Sequence, residues 1–568
     1  MHITIEPYKY LKEGFNIEDW NQVRASLEEL EAENINSMEQ LEHFIAHYNE
    51  LLDEIHNKDT QNYVKLSLDT GNKELNRKQS EYFEMIITNS KPYSFNIEKK
   101  IYESNYLSKL SERYDNYRKI IERNIKCYSD TNLALFEEEQ SLCLKYRKAI
   151  SNIALCYEDE EKTISQMQKI LKEASSDKRE RIWKQIMSSW IDNKELLDNT
   201  FSQILSIRNQ ISKNSGYTDY TEYMSKIRNR FEYGVDDLKL LHNSVEEIVV
   251  PALRKINGIR KTKLSVKSLF PWDADNNIDS NLLIPFRTID DLISKTYKVL
   301  EKINPRFAVA FKKMVDTGNI DLGVRKGKTP GGFCFPIDRS GMCFICMNVT
   351  GSSVEANILV HEAGHGIHSL AHSDEIVREY RMFDGPGELA EFPPKTMELL
   401  AMDYYDEYYD SIENIKQARK ERLIDILVSL RRYIVIDSLE QWLYSNPEHT
   451  VQERSKFVSS LEDRFNIGID WTGLDEEKSV WWYKEQLMII QPLYVISYAI
   501  AQLGALDVYR NYRQNREKTI ASFEASLKLG FSRSIGEIYE AAGGKLDFSK
   551  EYIRKLVDFI LEEIEILE

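Results

Sequence analysis

His361 and His365 stand four residues apart and bracket a glutamate in the segment Val354-Glu355-Ala356-Asn357-Ile358-Leu359-Val360-His361-Glu362-Ala363-Gly364-His365. On a helix that spacing stacks both imidazoles on one face, within reach of a single metal ion. Glu362, offset by one residue, would lie beside the ion and hydrogen-bond a water instead of ligating. Such a trio suits hydrolysis, with a metal to polarise the reacting groups and a carboxylate to take a proton. With 10 His in the chain, an HExxH sequence is expected by composition roughly 0.02 times.

Two histidines are not a complete catalytic zinc site, which takes three protein ligands and keeps one position open. Ala371 stands where the extended HExxHxxGxxH pattern would require a third His, so that class is excluded. His368 lies three residues past His365 and would rotate partly off the metal-facing edge, fitting a packing or supporting role. The acidic segment Glu388-Leu389-Ala390-Glu391, followed by Phe392-Pro393-Pro394-Lys395-Thr396-Met397-Glu398, is the better source. Glu391 and Glu398 are two helical turns apart, so on one continuous helix both would face the first. One could ligate while the other orients a ligand histidine.

The elements that must position these groups are mostly helices. The chain has 568 residues, 42% hydrophobic and 29% charged, with only 13 Pro and 23 Gly, a balance that favours long helices in a globular protein of more than one lobe. Trp20, Val23, Leu27 and Leu30 recur at helical spacing, as do Leu41, Phe44, Ile45 and Tyr48. His43 and His47 share a helical face, but nothing nearby completes a site, so a packed or solvated pair is expected. The clearest strand signal runs from Cys343 to Val349, after the turn chemistry of Lys328-Thr329-Pro330-Gly331-Gly332-Phe333. These textures suggest an N-terminal helical region over 1–195 and a catalytic region over 196–568, with interleaved lobes.

A formal net charge of -17 makes nucleic acid and anionic membrane surfaces poor partners. The N-terminal stretch lacks a basic segment followed by an apolar one, so no signal peptide is expected. The apolar run Ile489 to Leu506 contains Gln491, Pro492, Ser497 and Gln502 and is read as a buried helix, not a membrane span. The six cysteines show no secreted-disulfide spacing, and Cys343 and Cys346 form a lone CxxC read as packing residues. Reduced thiols fit a cytoplasmic location.

Four segments resemble the thimet oligopeptidase and oligoendopeptidase F family of zinc peptidases: KTPGGFC at 328–334, HEAGHGIH at 361–368, ELAEFPPKTMELLA at 388–401 and QPLYVISYAIAQLGAL at 491–506. The likeness covers roughly 200–560 and is weak before that. It implies a mainly α, two-lobed metallopeptidase with a deep substrate channel and a small β element beside the active-site helix. It further implies one zinc ion held by His361, His365 and Glu391, with Glu362 as general base and Glu398 supporting a ligand. Tyr494 and Tyr498 would help bind the substrate carbonyl. The activity implied is cleavage of internal bonds in short unstructured peptides. An edge strand would pair with the substrate backbone, and Phe344 to Val349 is placed to be that strand. Gly331 and Gly332 would permit close backbone approach or make a plain turn.

The sequence departs from the family twice. Relatives usually carry a His shortly before the proline of the tyrosine segment, whereas this chain reads Gln486-Leu487-Met488-Ile489-Ile490-Gln491. The paired Pro393 and Pro394 should push the preceding residues out of the α region, starting the helix late and leaving Glu391 in a turn, with Glu388 as the alternative ligand. The missing His keeps a non-catalytic peptide-binding relative in view. An exopeptidase would need a fixed charge to grip a chain end, and none is identifiable.

Overall fold

The computed structural model describes residues 8–274, 283–337, 340–372, 377–381 and 385–568. Among them are five short strands: β1 (Ala154–Tyr157), β2 (Glu160–Thr163), β3 (Ile320–Asp321), β4 (Gly332–Pro336) and β5 (Cys343–Met347). Nearly all the remaining regular structure is helical, giving the mainly α fold that the composition implies. The helical periodicities read from sequence are core faces. Val23, Leu27 and Leu30 are buried on the Trp20–Ala32 helix, and Leu41, Phe44, Ile45 and Tyr48 on Met38–Leu68. His43 and His47 pack around Tyr10, with ring centroids 4.7 and 5.0 Å from it.

The chain folds into two compact units, each assembled from three separate stretches. The first comprises Met1–Lys126, Leu282–Arg419 and Ala501–Leu546. It holds a three-stranded sheet in the order β3-β5-β4, with β3 parallel and β4 antiparallel to β5. The run expected to be the edge strand is therefore the central one. Its residues Cys343, Ile345, Cys346 and Met347 are buried, and a strand apolar on both faces suits an interior position better than an edge. Both of its sides are used, since Ile345 donates its N–H to Asn319 on the β3 side at 2.9 Å. Among the described residues the edges of this sheet are the two-residue β3 and the five-residue β4. Lys328 ties the sheet to the preceding loop, its Nζ donating to the carbonyls of Asp321 and Gly323 and to the Asp321 carboxylate at 2.7 to 3.0 Å.

The second unit comprises Cys127–Asn281, Lys420–Ile500 and Asp547–Glu568. It carries the β1–β2 hairpin and packs the long helix Val235–Lys263 against Lys550–Leu567. A buried His242–Asp437 pair, 2.7 Å between Nε2 and Oδ2, pins the first of these helices to Ile412–Ser445. The apolar stretch read as one buried helix is two pieces, Gln486–Ile490 and Val495–Gln514. Pro492 excludes Gln491 from the α region, and Leu493 adopts a left-handed φ of 57°. Among the described residues no helix is long and apolar enough to cross a membrane.

Candidate active site

The HExxH sequence lies on the helix Ser353–Ala371. Ser352 caps it, and Glu355 fixes its first turn, the carboxylate accepting the N–H groups of Thr350, Gly351 and Ser352 at 2.8 to 2.9 Å. A carboxylate there also complements the positive end of the helix dipole. Alongside runs the acidic helix Gly387–Ala401, which passes through both Pro393 and Pro394. The late helix start expected from these prolines does not occur, and Glu391 sits within the helix. Packing against the HExxH helix outweighs the local preference: a Cβ built on Gly364 would lie 2.7 Å from Pro394 Cα, so the backbones nearly touch. Gly366 likewise admits Met314, whose Sδ would stand 2.5 Å from a Cβ there.

The Gly364 crossing can be tested directly. Replacing Gly364 by Ala would force the two helices apart, because Pro394 backbone cannot swing aside. Overpacking of this kind typically costs about 1–3 kcal/mol, so Gly364→Ala should melt at clearly lower temperature and hold metal more weakly. Wild-type melting and metal content together would show that the crossing tolerates a methyl group.

Between these helices, His361, His365 and Glu391 converge, with donor atoms all within 4.8 Å of one another. Glu391 Oε2 is 3.3 Å from His361 Nε2 and 3.8 Å from His365 Nε2. Donors about 2.1 Å from a tetrahedral zinc stand about 3.4 Å apart, so the trio fits such an ion. Behind it, Glu398 Oε1 lies 2.6 Å from His361 Nδ1 and 3.1 Å from Lys395 Nζ. A carboxylate on the far nitrogen orients the ring, so that Nε2 faces Glu391. Glu388 is fully buried on the same helix but is not part of the converging group. His368 is also buried; its ring packs edge-on against His372 at 4.7 Å, outside the cluster.

The site is strongly polarised. Burial disfavours a charged His361, but hydrogen bonds to Glu391 and Glu398 outweigh it and raise the imidazole to about 9. Burial pulls His365 down to about 4 despite the attraction of Glu391. Burial pushes the Glu362 carboxyl up to about 7, opposed by His361 and reinforced by Glu391 and Glu398. A carboxylate so poised takes and releases protons near neutral pH. Gly332 of β4 borders it: a Cβ at this position would lie 3.2 Å from Glu362 Oε1. Gly331, at φ 92°, makes the turn that delivers the strand there.

Tyr494 and Tyr498 belong to the second unit, half-buried, with ring centroids 5.5 Å apart. Tyr433 stacks on Tyr498 at 5.4 Å. Sequence reasoning missed what holds this segment. Arg228 donates twice to the Pro492 carbonyl, at 2.9 and 2.7 Å, and its guanidinium lies 5.1 Å from the Tyr494 ring centre. Arg230 bonds the Leu493 carbonyl at 2.6 Å and Ser497 Oγ at 3.1 Å, and Glu440 accepts the Leu493 N–H at 2.7 Å. Together they hold Leu493 in a left-handed conformation that costs roughly 1–2 kcal/mol. The pattern Arg228-Asn229-Arg230 was visible in sequence, but nothing linked it to a turn more than 260 residues away.

The sequence profile of Peptidase family M3 matches residues 170–558, and that of the Peptidase M3 N-terminal domain matches 13–128. An oligoendopeptidase F homolog of Borreliella burgdorferi is 22% identical over 312 residues, which are 52% of this chain and 50% of that protein. The match thus spans about half of the curated relative. A solved structure of PZ peptidase A with an inhibitor superposes with a TM-score of 0.89 at 20% identity, covering 98% of this chain and 99% of the other. A Bacillus anthracis protein assigned as an oligoendopeptidase F gives 0.84 at 20% identity over 98% of both chains. At that identity the likeness establishes the fold.

Proposed function

The chain belongs to peptidase family M3, and on that premise we propose that it is a zinc-dependent oligoendopeptidase that cuts internal bonds of short, unstructured peptides. The observation that carries this reading is the convergence of His361, His365 and Glu391 beside a buried Glu362. A zinc ion held by the three would supply Lewis acidity, polarising a carbonyl and lowering the pKa of water from roughly 16 toward about 7. Glu362 takes the proton of the attacking water and returns it to the leaving amine. Glu398 holds His361 in the tautomer that presents Nε2. Strand β4, the edge strand that borders Glu362, offers backbone groups to an extended substrate. The hydroxyls of Tyr498 and Tyr494 are the proposed donors to the substrate carbonyl oxygen.

Digestion of a mixed peptide set, with fragments read by mass spectrometry, tests the proposal. Internal cuts that stop with chelator and return with zinc are expected. Trimming confined to chain ends would make the protein an exopeptidase, and no cleavage by folded, metal-loaded protein would sink the peptidase reading.

A further inference from the structure

The edge strand presents two unlike faces and a defined set of backbone groups. Ile337 donates its N–H to Met342 at 2.8 Å, which sets the alternation along the β4–β5 pair. Phe335 and Phe333 therefore spend their backbone groups on Phe344 and Cys346. The N–H and C=O of Gly332 and Cys334 turn outward, and Pro336 adds only a carbonyl. Cys334 directs its side chain toward the HExxH helix, where a Cβ on Gly366 would lie 3.8 Å from its sulfur. Phe333 and Phe335 project from the opposite face, ring centroids 5.2 Å apart. Tyr63 of the Met38–Leu68 helix lies against both, 6.1 and 5.6 Å away, and is 40% exposed.

We propose that Phe333, Phe335 and Tyr63 form a subsite selecting two bulky apolar side chains, two residues apart, on the N-terminal side of the scissile bond. The inference rests on the peptidase reading above. An antiparallel peptide hydrogen-bonded to Gly332 and Cys334 places its intervening residues opposite Phe333 and Phe335 in the non-hydrogen-bonded pairs. These are the pairs in which side chains approach most closely, and both partners project to the same face. The Gly332 end of the strand borders Glu362, so the scissile carbonyl lies at that end. An antiparallel chain reaches it last, and the residues facing the aromatic wall come before the bond. Aromatic or large aliphatic side chains bury their surface there, whereas glycine leaves the wall wet.

Two quenched peptides suffice, alike except that these two positions carry Phe in one and Gly in the other. Wild type should favour the Phe peptide by about tenfold or more in kcat/KM. The ratio should fall toward unity in Phe333→Ala/Phe335→Ala. Tyr63→Ala, which leaves the strand untouched, should lower it too. A ratio that survives in folded variants, or a preference lying C-terminal to the bond, overturns the assignment. Equal cleavage of both peptides by wild type sinks this inference alone; cleavage of neither sinks the peptidase reading with it.

Discussion

Glu362→Gln should retain the fold and the metal while losing turnover by on the order of 10³-fold. The amide matches the carboxylate in size, so contacts with the neighbouring helices survive. Burial already raises the Glu362 carboxyl to about 7, and a neutral side chain is easier to bury than a charged one. Stability therefore should not fall, and lost activity would report the missing proton acceptor. Peptide turnover, metal content and melting temperature measured on one preparation decide the matter. A variant that keeps a tenth or more of wild-type turnover would remove Glu362 as the base.

The second large effect distinguishes the two glutamates that sequence reasoning left open. Glu391→Ala should lose nearly all bound zinc, because it deletes one of three converging donors and leaves two histidines. Glu388→Ala should keep it, since that carboxylate stands outside the cluster. The reverse result would transfer the ligand role to Glu388. Proton competition offers a further check on the same site. With His361 raised to about 9, a proton occupies that imidazole at neutral pH and must leave as metal enters. Zinc affinity should thus rise about tenfold per unit from pH 7 to 9, and a plateau from about 6.5 would show His361 to be unperturbed.

Much of this arrangement was legible because it is local. The pairing of His361 with His365 follows from helical period, and the facing of Glu391 and Glu398 from two turns of the same period. What failed depended on contacts that no local pattern carries. Pro393 and Pro394 read as helix breakers until Gly364 is seen to receive Pro394 from the neighbouring helix. The run Phe344 to Val349 was expected at the edge because it directly precedes the active-site helix, and the strands that make it central are too short to stand out in sequence, two residues in β3 and five in β4. The Arg228 and Arg230 contacts join residues some 260 positions apart. Burial turned ordinary carboxyl and imidazole groups into strongly shifted ones, and a sequence does not print burial.

The threading of the two units has a consequence for the chain's biogenesis. Each is closed by a late segment, Ala501–Leu546 for one and Asp547–Glu568 for the other. During synthesis, then, neither can be completed when its first stretch emerges. The HExxH and acidic helices are made well before residues that finish their unit, such as Tyr539, whose hydroxyl bonds the Glu388 carbonyl at 2.9 Å and whose ring stacks on Phe392 at 4.2 Å. Domain-by-domain maturation, usual for long polypeptides, is closed to this topology. The nascent chain must carry unsatisfied apolar surface until residues 501–568 have been made. A ribosome that stalls before residue 501 releases a product that can complete neither unit.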